Sequence, residues 1–546
     1  CAVHIYRGDA LPEVYRGAAF SCDPTGNLVR GDRLEKAGGT FAARRIHEGT
    51  EALRSRDNWF RPVFLADGPD GALYIADMYR KVIEHPEYLP GDVRKHMDFE
   101  AGKDKGRIWR LSSTSNIQRS TINIGPTNLA ALIAELSSPI PWRRDTAFRL
   151  LVERNDAASA ALLRESFRNS DLAAPAVAKL RLLEIAGEVD EPALSFALKH
   201  PQPAVRQNAV RLAEPSLATN ATWRDIVLKL ADDPDPHVRF QIALSLGEAR
   251  SDEVVPALAH IAAKQAFDRW TRAAILSAVP ARTNALALLA QLARASDALP
   301  EGFIPLAGDL GRQLGSGLEP VAQLAAYEEI ARQLAPAPGG MAIAVNLGFA
   351  NATGPGFRRI ALSNPTRFAS LLTQARSQAA AAGTSSEMRV ASLELLAFDD
   401  ASDATTLLFG LLGADHPRDV QRAAARALLQ PSRLAGLASL LTADRWNGYT
   451  PGVRAMLLDR MAGGPEFAGL LLDAIQTGNV PVNALTSGQR DQLRRTKNPE
   501  LKSRAEKLLA AAGGNRESAF TQAKEALQLS PVPTNGRAVF EKACAT

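Results

Sequence analysis

The amino-acid sequence predicts a mainly α protein: a long array of paired helices behind a β-rich N-terminal segment, with one more short helical segment at the C-terminal end. Three observations carry this. Residues 1–112 hold short β-branched and aromatic runs broken by Gly and Asp turns. From about residue 126 apolar residues recur with the helical period. An internal repeat then runs through the helical part, marked by Arg at a fixed spacing. At 546 residues the chain also exceeds the roughly 250–300 at which single cores stop growing, so two or three domains are expected.

In the β-rich segment the runs are AVHIYRG, AFSCDPTGNLV, FAARRI after the Gly38-Gly39 turn, RPVFLADGPDGALYIADMYR, and GRIWRL. Pro69-Asp70-Gly71 lies between two apolar runs. Pro presets φ and Gly accepts a positive one, so FLA and ALYIAD read as a hairpin. Cys1 and Cys22 fall on the first two runs, which would be antiparallel neighbours. A disulfide there would add roughly 3 kcal/mol and fit an oxidising compartment. The alternative is two small thiols, free and buried.

The repeat is visible when Arg144, Arg206, Arg239 and Arg454 are aligned, because each has a Pro three residues earlier: Pro141, Pro203, Pro236 and Pro451. Arg206, Arg239 and Arg272 are 33 apart, as are Arg389 and Arg422, with Arg454 following 32 later. In DPDPHVRFQIALSLGEA, Asp235 is placed to cap a helix whose first turn holds Pro236. Val238, Ile242 and Leu246 then line one face that needs a neighbour to bury it. Stacked pairs with this period resemble HEAT repeats. The resemblance covers roughly 130–512, within a helical region expected over 126–512. It weakens between about 281 and 385, where GFIPLAGDLGRQLGSG and GGMAIAVNLGFANATG break the register.

Composition excludes several classes. The 64 Lys and Arg barely exceed the 59 Asp and Glu, which argues against nucleic acid, since that partner calls for basic residues clustered on one face. No run of about 18 apolar residues is present to span a bilayer. The glycines at 339, 340 and 348 lack dinucleotide or phosphate-loop spacing, and no His-Glu-x-x-His or nucleophile elbow occurs.

Residues 515–533 read as a helix, ESAFTQAKEALQL, and a hinge, SPVPTNG. In the following GRAVFEKACAT, Gly536, Phe540 and Cys544 stand at four-residue steps and so share one helical face. This looks like the first helix of a c-type cytochrome domain beginning at 534–546, with Cys544-Ala545-Thr546 as the opening of Cys-x-x-Cys-His. The second Cys and the iron-ligating His would lie beyond Thr546, so no metal ligand is expected in this chain. Cys1 and Thr546 both fall inside what read as structured motifs, and a fragment cut at both ends is expected.

The string DNWFRPVFLADGPDGALYIADMYRKVIEHPEYLP, with GRIWRL after it, resembles the propeller end of the membrane-bound dehydrogenases also called haem-binding Cys-x-x-Cys-His proteins, abundant in Planctomycetes and Verrucomicrobia. Their order is propeller, HEAT-like repeats, cytochrome c. The resemblance implies that 1–112 are the C-terminal blades of a β-propeller similar to soluble quinoprotein glucose and sorbosone dehydrogenases. It further implies oxidation of a sugar or alcohol as the small organic substrate. Electrons would pass to haem c held by Cys544 and on to a redox partner. It also implies PQQ or calcium on the propeller, and a periplasmic or extracytoplasmic place, with membrane association in the family's name.

Candidates for a polar site on the β-rich segment are Arg61, Asp77, Tyr79, Arg80, Glu84 and His85, since a carboxylate beside His and Arg can do acid/base work or bind an anion or calcium. The bland alternative is that Asp77, Arg80 and Glu84 satisfy turns and pair with one another at a blade edge. For the whole chain the competing reading is a non-catalytic scaffold, the helical array docking other proteins.

Overall fold

The computed structural model describes residues 1–113, 128–154, 156–294, 302–335 and 339–510, together with residues 300, 337, 524 and 536. The chain forms two compact units, one of Cys1–Asn284 with Pro300–Gly302, the other of Ala285–Leu299 with Phe303–Thr546. The division falls inside the helical array. The β-rich segment therefore shares a unit with the first part of that array.

In the first unit, β1 (Val3–Ile5), β2 (Ala19–Asp23), β3 (Leu28–Ala37) and β4 (Thr40–Arg45) form an antiparallel sheet in that order, with β5 (Leu53–Arg54) also paired to β3. A second antiparallel sheet holds β6 (Pro62–Asp67), β7 (Leu73–Asp77) and β8 (Arg107–Leu111). The β6–β7 hairpin is the one expected from Pro69-Asp70-Gly71, and Gly71 has φ +75°. Tyr6, Phe20, Cys22, Val29, Leu65, Leu73 and Ile75 form a single buried cluster drawn from both sheets. The sequence implied propeller blades. The described strands form two small sheets and no closed ring.

The expected Cys1–Cys22 disulfide is corrected: both are free thiols. β1 and β2 are antiparallel neighbours, but their register sets Val3 opposite Ser21 and bonds the Cys22 N–H to the Ala2 carbonyl at 3.0 Å. Ala2 thus faces Cys22, and side chains one residue apart point to opposite sides of a strand. Cys22 lies in the core, where burial pushes its thiol up to about 11, and Cys1 is exposed.

After a short α1 (Gly91–Arg94) come α2 (Leu129–Glu135), α3 (Pro141–Arg154), α4 (Ala157–Arg168), α5 (Ala173–Ile185), α6 (Glu191–Leu198), α7 (Pro203–Ala213), α8 (Ala221–Lys229), α9 (Pro236–Ser245), α10 (Val254–Gln265) and α11 (Arg269–Ala278). The helices α3, α5, α7, α9 and α11 pack each on the next as one row. In a second row α4 touches α2 and α6, and α10 touches α8. Helix α9 bears out the residue-level reading: the Asp235 side chain accepts the His237 N–H at 2.9 Å, and Val238, Ile242 and Leu246 are at most 1% exposed.

Helix α12 (Arg282–Arg294) carries the boundary between units. The second unit continues with α13 (Phe303–Gly315), α14 (Pro320–Gln333), α15 (Gly339–Thr353), α16 (Pro355–Ser363), α17 (Pro365–Ala380), α18 (Ser386–Leu395), α19 (Ser402–Gly410), α20 (Arg418–Leu428), α21 (Ala443–Gly448), α22 (Pro451–Gly463), α23 (Pro465–Gln476), α24 (Ser487–Arg494) and α25 (Pro499–Ala510). Its row is α13, α15, α18, α20, α22, α24, with α14 on α16, α17 on α19, and α23 on α25. The glycine-rich strings that interrupt the repeat are α13 and α15. A Cβ on Gly348 would lie 1.9 Å from the Gly308 carbonyl oxygen, and one on Gly311 would lie 2.1 Å from that of Val345. These glycines let two helix backbones meet. Among the described residues no helix is long and apolar enough to cross a membrane.

Candidate functional site

Asp77 ends β7 and is 3% exposed. One carboxylate oxygen accepts the Arg61 and Tyr79 backbone N–H groups at 2.8 and 2.9 Å, and the other accepts the Trp109 indole N–H at 3.0 Å. The Arg61 guanidinium donates to the carbonyls of Arg80 at 2.9 Å, Pro24 at 2.7 Å and Lys81 at 3.0 Å. Together these bonds clasp the start of β6, the end of β7 and the middle of β8 to the loop after β2. Tyr79 has φ +49° and donates its hydroxyl to Asp57 at 2.9 Å beneath the Arg107 guanidinium, which is 3.8 Å from the ring centre.

Glu84 and His85 make no bond to this clasp among the described residues. The His85 Nδ1 accepts the Glu87 N–H at 3.3 Å and caps a short turn, and Glu84 is exposed. Asp77, Arg80 and Glu84 form no ion pair with one another among the described residues. Asp77 satisfies a turn, as the bland alternative held. Both its oxygens are occupied by N–H donors, and no group of three or more His, Cys, Asp or Glu suited to a metal ion occurs among the described residues. The geometry is that of a structural clasp and does not fit a calcium site. Cys544, the expected haem attachment point, lies outside the described residues.

The repeat arginines have a shared task. Arg206 donates to the His200 and Pro201 carbonyls at 2.8 and 2.9 Å, Arg239 to those of Asp233 and Pro234 at 2.6 and 3.1 Å, and Arg272 to those of Ala266 and Phe267 at 2.7 and 3.2 Å. Arg144 does the same at Ser138 and Pro139. Each satisfies carbonyls just before its own helix, groups that a turn otherwise leaves open. Arg206 also reaches the next repeat, holding Asp233 through two bonds of 2.7 and 2.8 Å. In α20 this task falls to Gln421, which donates to the Gly413 and His416 carbonyls at 2.9 and 2.8 Å, and Arg422 is exposed.

A feature the sequence reading missed lies where the β3–β4 hairpin meets the row. The Lys36 ammonium pairs with Asp235 at 2.7 Å, the Gly39 N–H donates to Asp268 at 3.0 Å, and His237 Nε2 lies 2.9 Å from the Thr40 carbonyl oxygen. The Phe41 and His237 rings meet at a tilt of 37° with their centres 4.8 Å apart. Asp235 and Asp268 are the N-caps of α9 and α11, so the hairpin tip sits on two adjacent helix starts. Burial raises both carboxyls, but Lys36 and the His237 N–H at Asp235, and the Gly39 N–H and Thr271 hydroxyl at Asp268, outweigh it and leave both below their ordinary value. The available signal was Gly38-Gly39 itself: a Cβ on Gly39 would lie 2.7 Å from Phe240 of α9.

A family model described as a domain of unknown function (DUF7133) matches residues 1–115, and one for HEAT repeats matches residues 191–279. The helices α7, α9 and α11, with the pairs between them, are therefore HEAT repeats. No curated protein matches the chain. Solved structures similar to it include Kap121p bound to Pho4p (13% identity, TM-score 0.39, covering 73% of this chain and 48% of that one) and Kap121p (11%, 0.33, 73% and 50%). Another is a C-terminal fragment of the Chaetomium thermophilum cohesin loader SCC2 (12%, 0.20, 72% and 42%). The chain spans about half the length of these structures.

Proposed function

We propose that this chain is a non-catalytic interaction scaffold whose row of HEAT-type helices docks extended protein segments. The observation that carries the reading is the hairpin on α9 and α11. There the row already holds a strand turn through two helix-cap carboxylates, a histidine and a tilted aromatic contact. The polar residues that would have supported chemistry, Arg61 and Asp77, are used to clasp strands. The test is site-specific photo-cross-linking of the full-length protein in its native cell. Probes replacing exposed row positions such as Leu244 of α9 should yield discrete protein adducts. Absence of adducts at every row position would overturn the scaffold reading.

A second reading, electron transfer through a C-terminal c-type haem, is favoured by Gly536, Phe540 and Cys544 at helical spacing. It is also favoured by the outer face of the β6–β7–β8 sheet, where Phe64, Ala76 and Ile108 stand abreast with Phe64 61% and Ile108 73% exposed. A further propeller blade would cover such a stripe. In this reading a propeller would oxidise a small organic substrate in an extracytoplasmic compartment. Thioether-bound haem survives unfolding, so full-length protein made with a cytochrome c maturation system should give a haem-stained band on a denaturing gel, weakened by Cys544→Ala. A colourless full-length protein would end this reading.

A further inference from the structure

From the contrast between the rows of the two units, we infer that the groove between α20 and α22 binds an acidic peptide segment. The inference rests on the scaffold reading and deepens it by naming a surface and the chemistry of its partner.

The staple residues set the comparison. In α9, Arg239 follows Val238 and donates to the carbonyls of the preceding turn. In α20, Gln421 follows Val420 and does likewise. Phe240, the row residue pressed on the hairpin at Gly39, therefore corresponds to Arg422, and Pro236 and Leu244 correspond to Arg418 and Arg426. The spot that meets an apolar turn in the first unit carries a cation in the second.

Arg418, Arg422 and Arg426 follow one another at four-residue steps on exposed helix, an arrangement of like charges that weakens an isolated helix. Only Arg426 has a carboxylate, Glu394 at 2.7 Å; Arg418 and Arg422 have none within ion-pair distance among the described residues. They border a groove of ≈ 1060 Å³ whose other wall is α22, with Leu429, Val453 and Met456 among its apolar lining and Arg460, paired with Glu466 at 3.3 Å, also lining it. The single carboxylate lining it, Asp459, is taken by the Gln489 side-chain amide. The groove is thus apolar below and cationic along one edge. An extended chain that alternates carboxylates with apolar side chains matches both features, because successive side chains of an extended segment point to opposite sides.

In the first unit the same row edge is acidic, with Asp235 and Asp268 at the helix starts, and its occupant brings Lys36 and a backbone N–H. Charge complementarity there is visible, and the arginines that stand in the second unit where α9 has Pro236, Phe240 and Leu244 call in the same way for carboxylates on the partner.

The experiment is fluorescence anisotropy on the whole chain with a labelled peptide of Glu and Asp interleaved with Leu and Phe, beside the same peptide carrying Gln and Asn for the acids. The acidic peptide should bind more tightly, and less so as salt rises past physiological strength, where the Debye length is about 8 Å. The double variant R418E/R422E should weaken binding about tenfold, as expected when two partly exposed charge pairs turn repulsive. R418K/R422K should keep most of the affinity, and R149E, on α3, should change nothing. Circular dichroism verifies that each variant is folded. Acidic-peptide binding that ignores R418E/R422E would overturn the groove and leave the scaffold reading standing, and equal binding of the neutral peptide would do the same. Tighter binding of a DNA duplex through these arginines would overturn the peptide class. Photo-adducts from α9 positions report on the scaffold independently of all these outcomes.

Discussion

Arg206 ties together the turn before its own helix and the carboxylate of the next repeat. Its side chain is 11% exposed and that of Asp233 is 2% exposed. Deleting the guanidinium would leave Asp233 buried with the Asp235 N–H at 2.9 Å as its remaining donor. Removing one partner of a buried pair costs about 3–5 kcal/mol. Arg206→Ala should accordingly lower the stability of the first unit by about 3 kcal/mol in a denaturant melt, and Arg206→Lys should recover little, because an ammonium cannot grip both oxygens at once. The spacing of such arginines was plain in the sequence. Their job was not, since Gln421 performs it one residue before the Arg422 that the 33-residue count picked out. Arg422→Ala should leave stability within about 0.5 kcal/mol of the parent, as surface substitutions do.

For the β3–β4 hairpin, docking depends on two cap carboxylates held below their ordinary value near 3.8. A carboxyl depressed by folding lends stability that is complete above its unfolded value and fades as pH falls through its folded one. Docking should therefore be indifferent to pH from 7 down to about 4 and weaken progressively below that. Near-UV circular dichroism of thermal melts would show it, and Asp235→Asn with Asp268→Asn should flatten the acid dependence. Gly39→Val should dislodge the tip from Phe240 while the β3–β4 pairing persists. The hairpin turn was legible from Gly38-Gly39, but what it touches was not. Likewise α13 and α15 hid from the repeat count because neither carries a Pro three residues before an Arg, and α15 is apolar on nearly every face, so it shows no one-sided period.

Across the whole chain, the change in composition near residues 112–126 was legible and the compact boundary was not. Strand texture and helix texture are local properties. The bonds that fasten the hairpin tip to the array join residues 199 and 229 positions apart, Lys36 to Asp235 and Gly39 to Asp268, and no local pattern records them. That separation sets a timetable for biosynthesis. At ~5–20 residues per second, the ribosome needs roughly 10–45 s to make the 229 positions between Gly39 and Asp268. Throughout that interval the hairpin tip, with Phe41 beside it, is on the nascent chain without its seat. Ribosome-bound chains arrested before residue 235 should be cut by protease at the tip, and chains extended until α11 has emerged should resist. The β3–β4 hairpin is thus made well before the two helix starts, 199 and 229 positions downstream, that secure its tip.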